Sequence, residues 1–137
     1  PFINQSKEFE IIKSKELEEI HIPKNPNLSK HQIIEKMWSD ENYKVDDGIS
    51  QKQHFEKIKS YLDNLFQEFK SGDKDLIFVT HGNLIGIILK FYFEISFGFQ
   101  EWKKMTMPDI YMLSFDKDNN FIEMKRNNNN IERIFSI

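Results

Sequence analysis

Residues 75–91 have the sequence DLIFVTHGNLIGIILKF, and the expected fold follows from them. Residues 76–79 are apolar and rich in β-branched and aromatic side chains, which is typical of a buried parallel strand. A polar Thr-His-Gly-Asn turn follows and opens directly into an apolar helical segment. In open α/β sheets, ligands bind beyond the carboxyl ends of the strands, where a helix N-terminus offers N–H groups to anions. We therefore expect His81 to lie where a phosphate binds.

The same histidine also has a purely structural interpretation. An imidazole at a strand-to-helix turn can be a buried, hydrogen-bonded part of a general α/β domain. Its position in the sequence does not distinguish this hypothesis from a functional role.

The composition excludes several classes of protein. The net charge is −3 and no segment gathers basic residues, so we expect no nucleic-acid partner. There are no cysteines, which excludes a disulfide framework and thiolate chemistry. No two histidines have the i, i+4 spacing of helical metal ligands, so we expect neither a metal nor a cofactor. The four histidines are His21, His31, His54 and His81.

The longest apolar segment, residues 84–99, predicts a buried core helix. Polar residues interrupt it, and it is shorter than the roughly 20 apolar residues of a spanning helix, so we expect no membrane association. The N-terminus has neither a basic region nor an apolar signal core, which predicts a cytoplasmic protein. A length of 137 residues predicts a single domain, residues 1–137.

Local patterns predict the remaining elements. Ser29 and Gln32 have the spacing of a capping box, which predicts a helix over residues 30–39. Apolar residues recur at three- and four-residue steps over residues 50–69 and predict a long amphipathic helix. Residues 110–115 and 121–125 predict a hairpin. The other predictions are a strand at 9–12, an extended segment at 16–22, and a polar loop at 40–48 that is either a plain connection or a lid.

The sequence around His81 resembles the second histidine motif of the histidine phosphatase superfamily, the phosphoglycerate mutase-like enzymes. That family has an apolar strand, then Ser/Thr/Ala-His-Gly, then an apolar helix, and residues 76–85 are similar to it. Residues 17–22, LEEIHI, resemble the family's Leu-x-Glu-Ile segment, and DGIS at 47–50 resembles its Gly-Glu-Ser helix start. The order and spacing agree along nearly the whole chain. The resemblance implies a three-layer α/β/α fold.

The resemblance also implies a site and a reaction. Members of the family transfer or hydrolyse phosphate through a phosphohistidine intermediate, which implies a small phosphorylated metabolite as the substrate. His81 and Glu19 are then the catalytic residues, with Glu19 protonating the leaving oxygen. His81, together with N–H groups at Gly82 and Asn83, is implied to bind the phosphate. Glu18 is the competing carboxyl, and alternation in an extended segment allows only one of the two to face the site.

The nucleophile that the family uses is missing from this sequence. The family carries it in an Arg-His-Gly motif, with two further arginines around the phosphoryl group, whereas the only arginines here are Arg126 and Arg133. We therefore expect this chain to be the C-terminal portion of such a domain, without the N-terminal Arg-His-Gly segment. We also expect it to be inactive as an isolated chain. The alternative hypothesis is a truncated, non-catalytic binding or dimerisation module.

The strand predicted at residues 76–79 also indicates that this chain has a partner. A strand that is apolar on both faces normally has neighbours on each side, and this chain supplies few strands to flank it. We expect a second copy, another chain or an intertwined element to cover the open sheet edge.

Overall fold

The structure is a computed structural model, and it describes residues 10–70 and 75–126. These residues form helices and a small antiparallel sheet, consistent with the α/β class that the sequence predicts. The helices are α1 (Lys30–Ser39), α2 (Gln51–Lys70), α3 (Gly82–Ile87) and α4 (Phe99–Lys103), with a π-helical turn at Ile88–Tyr92 and a 3₁₀ turn at Lys15–Leu17. The strands are β1 (Tyr111–Phe115) and β2 (Phe121–Arg126).

Helix α1 begins at the predicted capping box. The Ser29 hydroxyl accepts a hydrogen bond from the Gln32 N–H at 3.2 Å, and the Gln32 side chain accepts one from the Ser29 N–H at 2.8 Å. These two bonds satisfy N–H groups that would otherwise have no partner at the first turn. The helix then buries one apolar face, formed by Ile33, Ile34, Met37 and Trp38.

Helix α2 confirms the amphipathic pattern and also begins with a capping box. Ser50 and Gln53 exchange hydrogen bonds of 3.0 and 3.2 Å, an arrangement that the sequence analysis did not identify. The buried stripe of α2 includes Ile58, Leu62 and Phe66. It meets the apolar segment after His81, where Leu84, Ile87 and Leu89 are almost completely buried.

The apolar segment at 84–99 forms a helix over only part of its length. Helix α3 passes into the π-helical turn, in which the Phe93 N–H donates to the Ile88 carbonyl five residues earlier at 3.3 Å. Gly86, on α3, lies against Trp38 and Phe97, so α1 and the segment before α4 approach this helix closely. The prediction of a buried core helix is confirmed for α3 and the π-helical turn.

The prediction of a strand at 76–79 is wrong for this structure. These residues belong to no strand, and the sheet formed by the described residues contains only β1 and β2. Ile77 is 56% exposed and Val79 is 86% exposed, while the Phe78 ring lies 5.7 Å from that of Phe66. A strand is defined by its hydrogen-bonded neighbours, and no described segment supplies them here.

The other predictions of extended structure are confirmed only in part. The predicted strand at 9–12 begins at Phe9, outside the described residues, and residues 10–12 form no strand. Residues 16–22 begin in the 3₁₀ turn and continue without regular structure. The predicted hairpin is confirmed, with Leu113 opposite Met124 in antiparallel register. Its turn is closed by the Asp116 carboxylate, which accepts from the N–H groups of Asp118 and Asn120 at 2.9 Å each.

The polar loop at 40–48 is packed against the body of the protein. Val45 is buried, and a Cβ atom placed on Gly48 would lie 2.8 Å from Cδ of Pro23. This contact favours a plain connection over a lid. No helix in residues 10–70 and 75–126 is both long enough and apolar enough to cross a membrane.

Candidate functional site

A tertiary hydrogen bond brings the two predicted catalytic segments together. The Thr80 hydroxyl donates to the Leu17 carbonyl at 2.6 Å, across a separation of 63 residues in the chain. This contact places the residue before His81 beside the segment that contains Glu19. Only tertiary contacts bring the two segments together, because α1 and α2 lie between them in the chain.

Glu19 sits at the N-terminus of α3. Its Oε2 atom accepts from the Asn83 N–H at 3.1 Å and from the Asn83 Nδ2 at 3.3 Å, and its Oε1 atom accepts from the Leu84 N–H at 3.2 Å. The first N–H groups of a helix have no intrahelical partner and carry partial positive charge. The Glu19 carboxylate therefore occupies the place where an anion is favoured, and it caps α3 from a distant part of the chain.

Removing this carboxylate is expected to destabilise the fold. Glu19→Ala leaves the N–H groups of Asn83 and Leu84 without their charged acceptor, so we expect the free energy of unfolding to fall by about 2 kcal/mol. Urea titration followed by tryptophan fluorescence measures this change. Glu18→Ala is the matched control because Glu18 is exposed and its side chain makes no hydrogen bond or ion pair with the described residues. An equal loss in both variants would contradict the capping role.

His81 is the N-cap residue of α3 and is exposed. Its backbone is extended, with φ −110° and ψ 159°, and its carbonyl accepts from the Ile85 N–H at 2.9 Å. Its side chain makes no hydrogen bond with the residues that the structure describes. Gly82, the next residue, lies beside Met105, and a Cβ atom there would be 3.8 Å from the Met105 side chain. The imidazole is thus open to a ligand from solvent.

A depression of about 420 Å³ lies beside this helix start. It contains two of the predicted site residues, Glu19 and Asn83, whereas His81 and Gly82 adjoin Asn83 in the chain and do not line it. The full lining is Glu18, Glu19, Ile20, His21, Ile22, Lys30 and Asn83. Glu19 and the start of α3 therefore belong to one surface.

Two residues of this depression could not be predicted from the sequence. His21 and Lys30 both line it, and neither carries a motif that singles it out. Glu18 lines the depression as well as Glu19, and which of the two acts on a substrate stays a prediction. Residues 18–20 are not a strand, and strict alternation of side chains does not apply to them.

The Asn83 N–H already has an acceptor in this structure. The resemblance implies that this group binds a phosphate oxygen, but here it donates to Glu19. A phosphate at the helix start would therefore compete with the Glu19 carboxylate for the same donor. Glu19 and Asn83 are therefore coupled, because movement of the Glu19 carboxylate away from α3 would free the N–H group of Asn83 to bind a ligand.

Arg126 does not belong to this site. Its guanidinium binds the Asp109 carboxylate, with Nε 3.0 Å from Oδ1 and Nη2 2.6 Å from Oδ2, and Nη2 also donates to the Lys104 carbonyl. Arg133 lies outside the described residues. No arginine in residues 10–70 and 75–126 lines the depression.

The remaining polar groups in the core lie outside the depression. His54 is buried on α2, and neither ring nitrogen has a partner among the described residues. Burial, followed by the charge of Lys57, lowers the pKa of His54 below its usual value. A second depression, of about 260 Å³, is lined mainly by aromatic rings between α2 and the hairpin and contains no predicted site residue. The described residues include no group of three or more metal-ligating side chains.

Comparison with known proteins identifies a family. The model of the histidine phosphatase superfamily (branch 1) matches residues 2–129, which is most of the 137-residue chain. No curated protein and no solved structure matches the chain. The match includes both segments of the site, the one with Glu19 and the one with His81. This chain belongs to the histidine phosphatase superfamily, branch 1.

Proposed function

We propose that this chain is the C-terminal part of a phosphoglycerate mutase-like phosphatase that acts on a small phosphorylated metabolite in the cytoplasm. Membership of the family supports a phosphatase or mutase type of function. The observation that carries the proposal is the contact of the Glu19 carboxylate with the start of the helix that follows His81. It brings Glu19 to the helix whose N-cap residue is His81, although the two segments are far apart in the sequence.

The proposed reaction begins with attack on phosphorus by the family's nucleophilic histidine. The bond from phosphorus to the substrate oxygen breaks, and Glu19 gives that oxygen a proton. His81 hydrogen-bonds an oxygen of the phosphoryl group and stabilises the charge that develops in the transition state. In the phosphatase reaction, water then attacks phosphorus, and the bond from phosphorus to the histidine nitrogen breaks. The Glu19 carboxylate takes a proton from that water, which restores the enzyme and releases phosphate. Gly82 and Asn83 complete the phosphate-binding turn.

The proposal includes inactivity of the isolated polypeptide. The sequence has no Arg-His-Gly, and His81-Gly82 is its only His-Gly. Phosphoryl transfer depends on positioning and on neutralising the oxygens, for which bidentate arginines are well suited. Within the described residues the one arginine is bound to Asp109 instead. We therefore propose that the nucleophilic Arg-His-Gly segment comes from outside these 137 residues.

Turnover of a generic phosphomonoester tests this part of the proposal. With p-nitrophenyl phosphate, we expect residues 1–137 to release no more p-nitrophenol than a buffer control. Turnover that His81→Ala abolishes would show that the nucleophile is present in this chain and would overturn the claim. A contaminating phosphatase would be unaffected by His81→Ala, so the variant also serves as the control.

A second candidate function is a binding or dimerisation module. The exposed side chains of Ile77 and Val79, on a segment with no strand partner among the described residues, favour it. We propose that a second copy or another chain covers this segment. Sedimentation equilibrium distinguishes the cases: a dimer that Val79→Lys converts to monomer supports the module, and a monomer at all concentrations rejects self-association.

A further inference from the structure

A row of aromatic rings runs from α2 to the hairpin. Phe66 on α2 stacks on Tyr92 with ring centroids 5.0 Å apart, and it meets the edge of Phe93 at 5.3 Å. The Phe93 ring in turn lies 6.0 Å from that of Phe115 on β1 and 5.7 Å from that of Phe121 on β2. These distances are typical of favourable aromatic pairs, so the row connects α2, the end of the π-helical turn and the hairpin.

The same five rings line the second depression, of about 260 Å³, which we call the aromatic depression. The rest of its lining is polar and consists of Lys70, Asn119 and Asn120. An apolar cavity of about 150 Å³ holds a benzene molecule, so the aromatic depression has room for a phenyl ring and part of a second side chain. Phe121 is 37% exposed although two rings pack against it. An apolar side chain in this space would cover Phe121 and extend the row of rings.

The chain itself carries such side chains beyond β2, outside the described residues. Residues 127–130 are four asparagines, and residues 131–137 have the sequence IERIFSI, in which four of seven residues are isoleucine or phenylalanine. The two charged residues of this segment, Glu132 and Arg133, have opposite signs. The match to the family ends at residue 129, so these apolar residues lie beyond the family pattern.

The length of the chain allows residues 131–137 to reach the aromatic depression. Strand β2 begins at the depression with Phe121 and ends at Arg126, which is about 17 Å away at the rise of an antiparallel strand. Phe135 is nine residues beyond Arg126, and nine residues span up to about 30 Å when extended. The asparagines therefore provide enough chain to reverse direction and to return Phe135 to the level of Phe121.

We propose that residues 131–137 dock on the aromatic depression of their own chain, with the Phe135 ring packed against Phe121. A short flexible linker gives a tethered segment an effective concentration in the millimolar range, so the segment outcompetes a second copy of the chain at micromolar protein. The contact fastens the hairpin to α2. It is independent of the proposed phosphate site, because the aromatic depression contains none of the residues of that site.

NMR of the 137-residue chain tests the docking directly. We expect nuclear Overhauser effects between the ring protons of Phe135 and those of Phe121, with the signals assigned from Phe135→Leu and Phe121→Leu. A sample that mixes isotope-labelled and unlabelled chains should show no such effect between molecules. An effect found only between molecules would identify a second copy as the occupant and would overturn the proposal. The absence of any effect between Phe135 and the five rings would overturn it as well.

Hydrogen exchange measures what the contact contributes. Phe135→Ser removes the docked ring, and we expect the protection of the β1 and β2 amides to fall about tenfold, because burial of a phenylalanine side chain changes an equilibrium constant by at least that factor. Arg133→Ser is the matched control in the same segment and should leave the protection unchanged.

A second substitution assigns the effect to the aromatic depression. Phe121→Ala removes the ring that receives Phe135, and in that background Phe135→Ser should lower the protection by less than about threefold. Independent effects of the two substitutions, or an equal loss of protection in Arg133→Ser, would reject the contact.

Discussion

Replacing Arg126 with methionine is expected to lower the free energy of unfolding by about 3 kcal/mol, the range found when a buried ion pair loses one partner. The side chain of Asp109 is only 2% exposed, and Arg126 is its charged partner. Methionine keeps much of the volume of arginine but leaves the carboxylate buried without a countercharge. It also removes the donor to the Lys104 carbonyl, so the end of β2 loses its link to the segment after α4. Urea unfolding at neutral pH measures the loss.

Lys125→Met is the matched control for this substitution. Lys125 is the adjacent residue on β2, and its ion pair with Glu123 has side chains that are 61% and 49% exposed. Exposed pairs contribute little, so we expect a change below about 0.5 kcal/mol. Comparable losses in the two variants would show that the Asp109 pair is no stronger than a surface pair.

The same ion pair predicts a dependence on pH. Burial by itself raises the pKa of Asp109, but hydrogen bonds from Arg126 and from the N–H groups of Thr106 and Ile110 outweigh it, and the net pKa is below the usual value. The folded state therefore binds fewer protons at this carboxyl than the unfolded state does. The resulting stabilisation is complete above the unfolded pKa of about 3.9 and is lost as the pH falls through the lower folded value. The stability difference between wild type and Arg126→Met should shrink over the same range.

Gly86→Ala is expected to lower the free energy of unfolding by about 2 kcal/mol, although alanine is the better helix former by about 1 kcal/mol. A methyl group at this position would lie 2.5 Å from a ring carbon of Phe97 and 2.6 Å from one of Trp38. Both rings are buried, so neither can move without displacing other core residues. The crowding therefore outweighs the gain in helix propensity. Thermal and urea unfolding both report the change.

Two further variants isolate the steric cause. Gly82→Ala makes the same change on the same helix, where the nearest atoms would be 3.8 Å away, and it should be neutral or slightly stabilising. Phe97→Leu in the Gly86→Ala background should recover part of the lost stability, because leucine gives the methyl group room. Additive losses in the double variant would contradict the proposed contact.

The most accurate predictions from sequence concern structure that is decided within a few residues. The capping box at Ser29 and the 3.6-residue period of α2 depend on neighbours three or four positions away, and both are present. The hairpin follows from two short apolar runs and a polar turn whose Asp116 closes it locally. The histidine motif at residue 81 likewise identified the family that the comparison confirms.

The failures concern partners that are distant in the chain. Apolar residues at 76–79 have the composition of a strand, but a strand exists only where another segment offers hydrogen bonds, and composition cannot supply one. The π-helical turn after α3 contacts α2, and the short helix α4 contacts α1. The π-helical turn has no local pattern that predicts it, whereas α4 begins with a local bond in which the Gly98 N–H donates to the Glu101 carboxylate at 2.8 Å.

By itself, the sequence determined the family, the α/β class and the identity of Glu19 and His81 as residues of interest. Only the tertiary structure decided that the Glu19 carboxylate caps α3, and that Glu18, His21 and Lys30 line the depression beside it. The physical reason is the range of the interactions. Propensity and periodicity act along the chain over one or two helical turns, whereas a site is assembled by contacts such as that of Thr80 with Leu17, which the sequence does not encode in any local pattern.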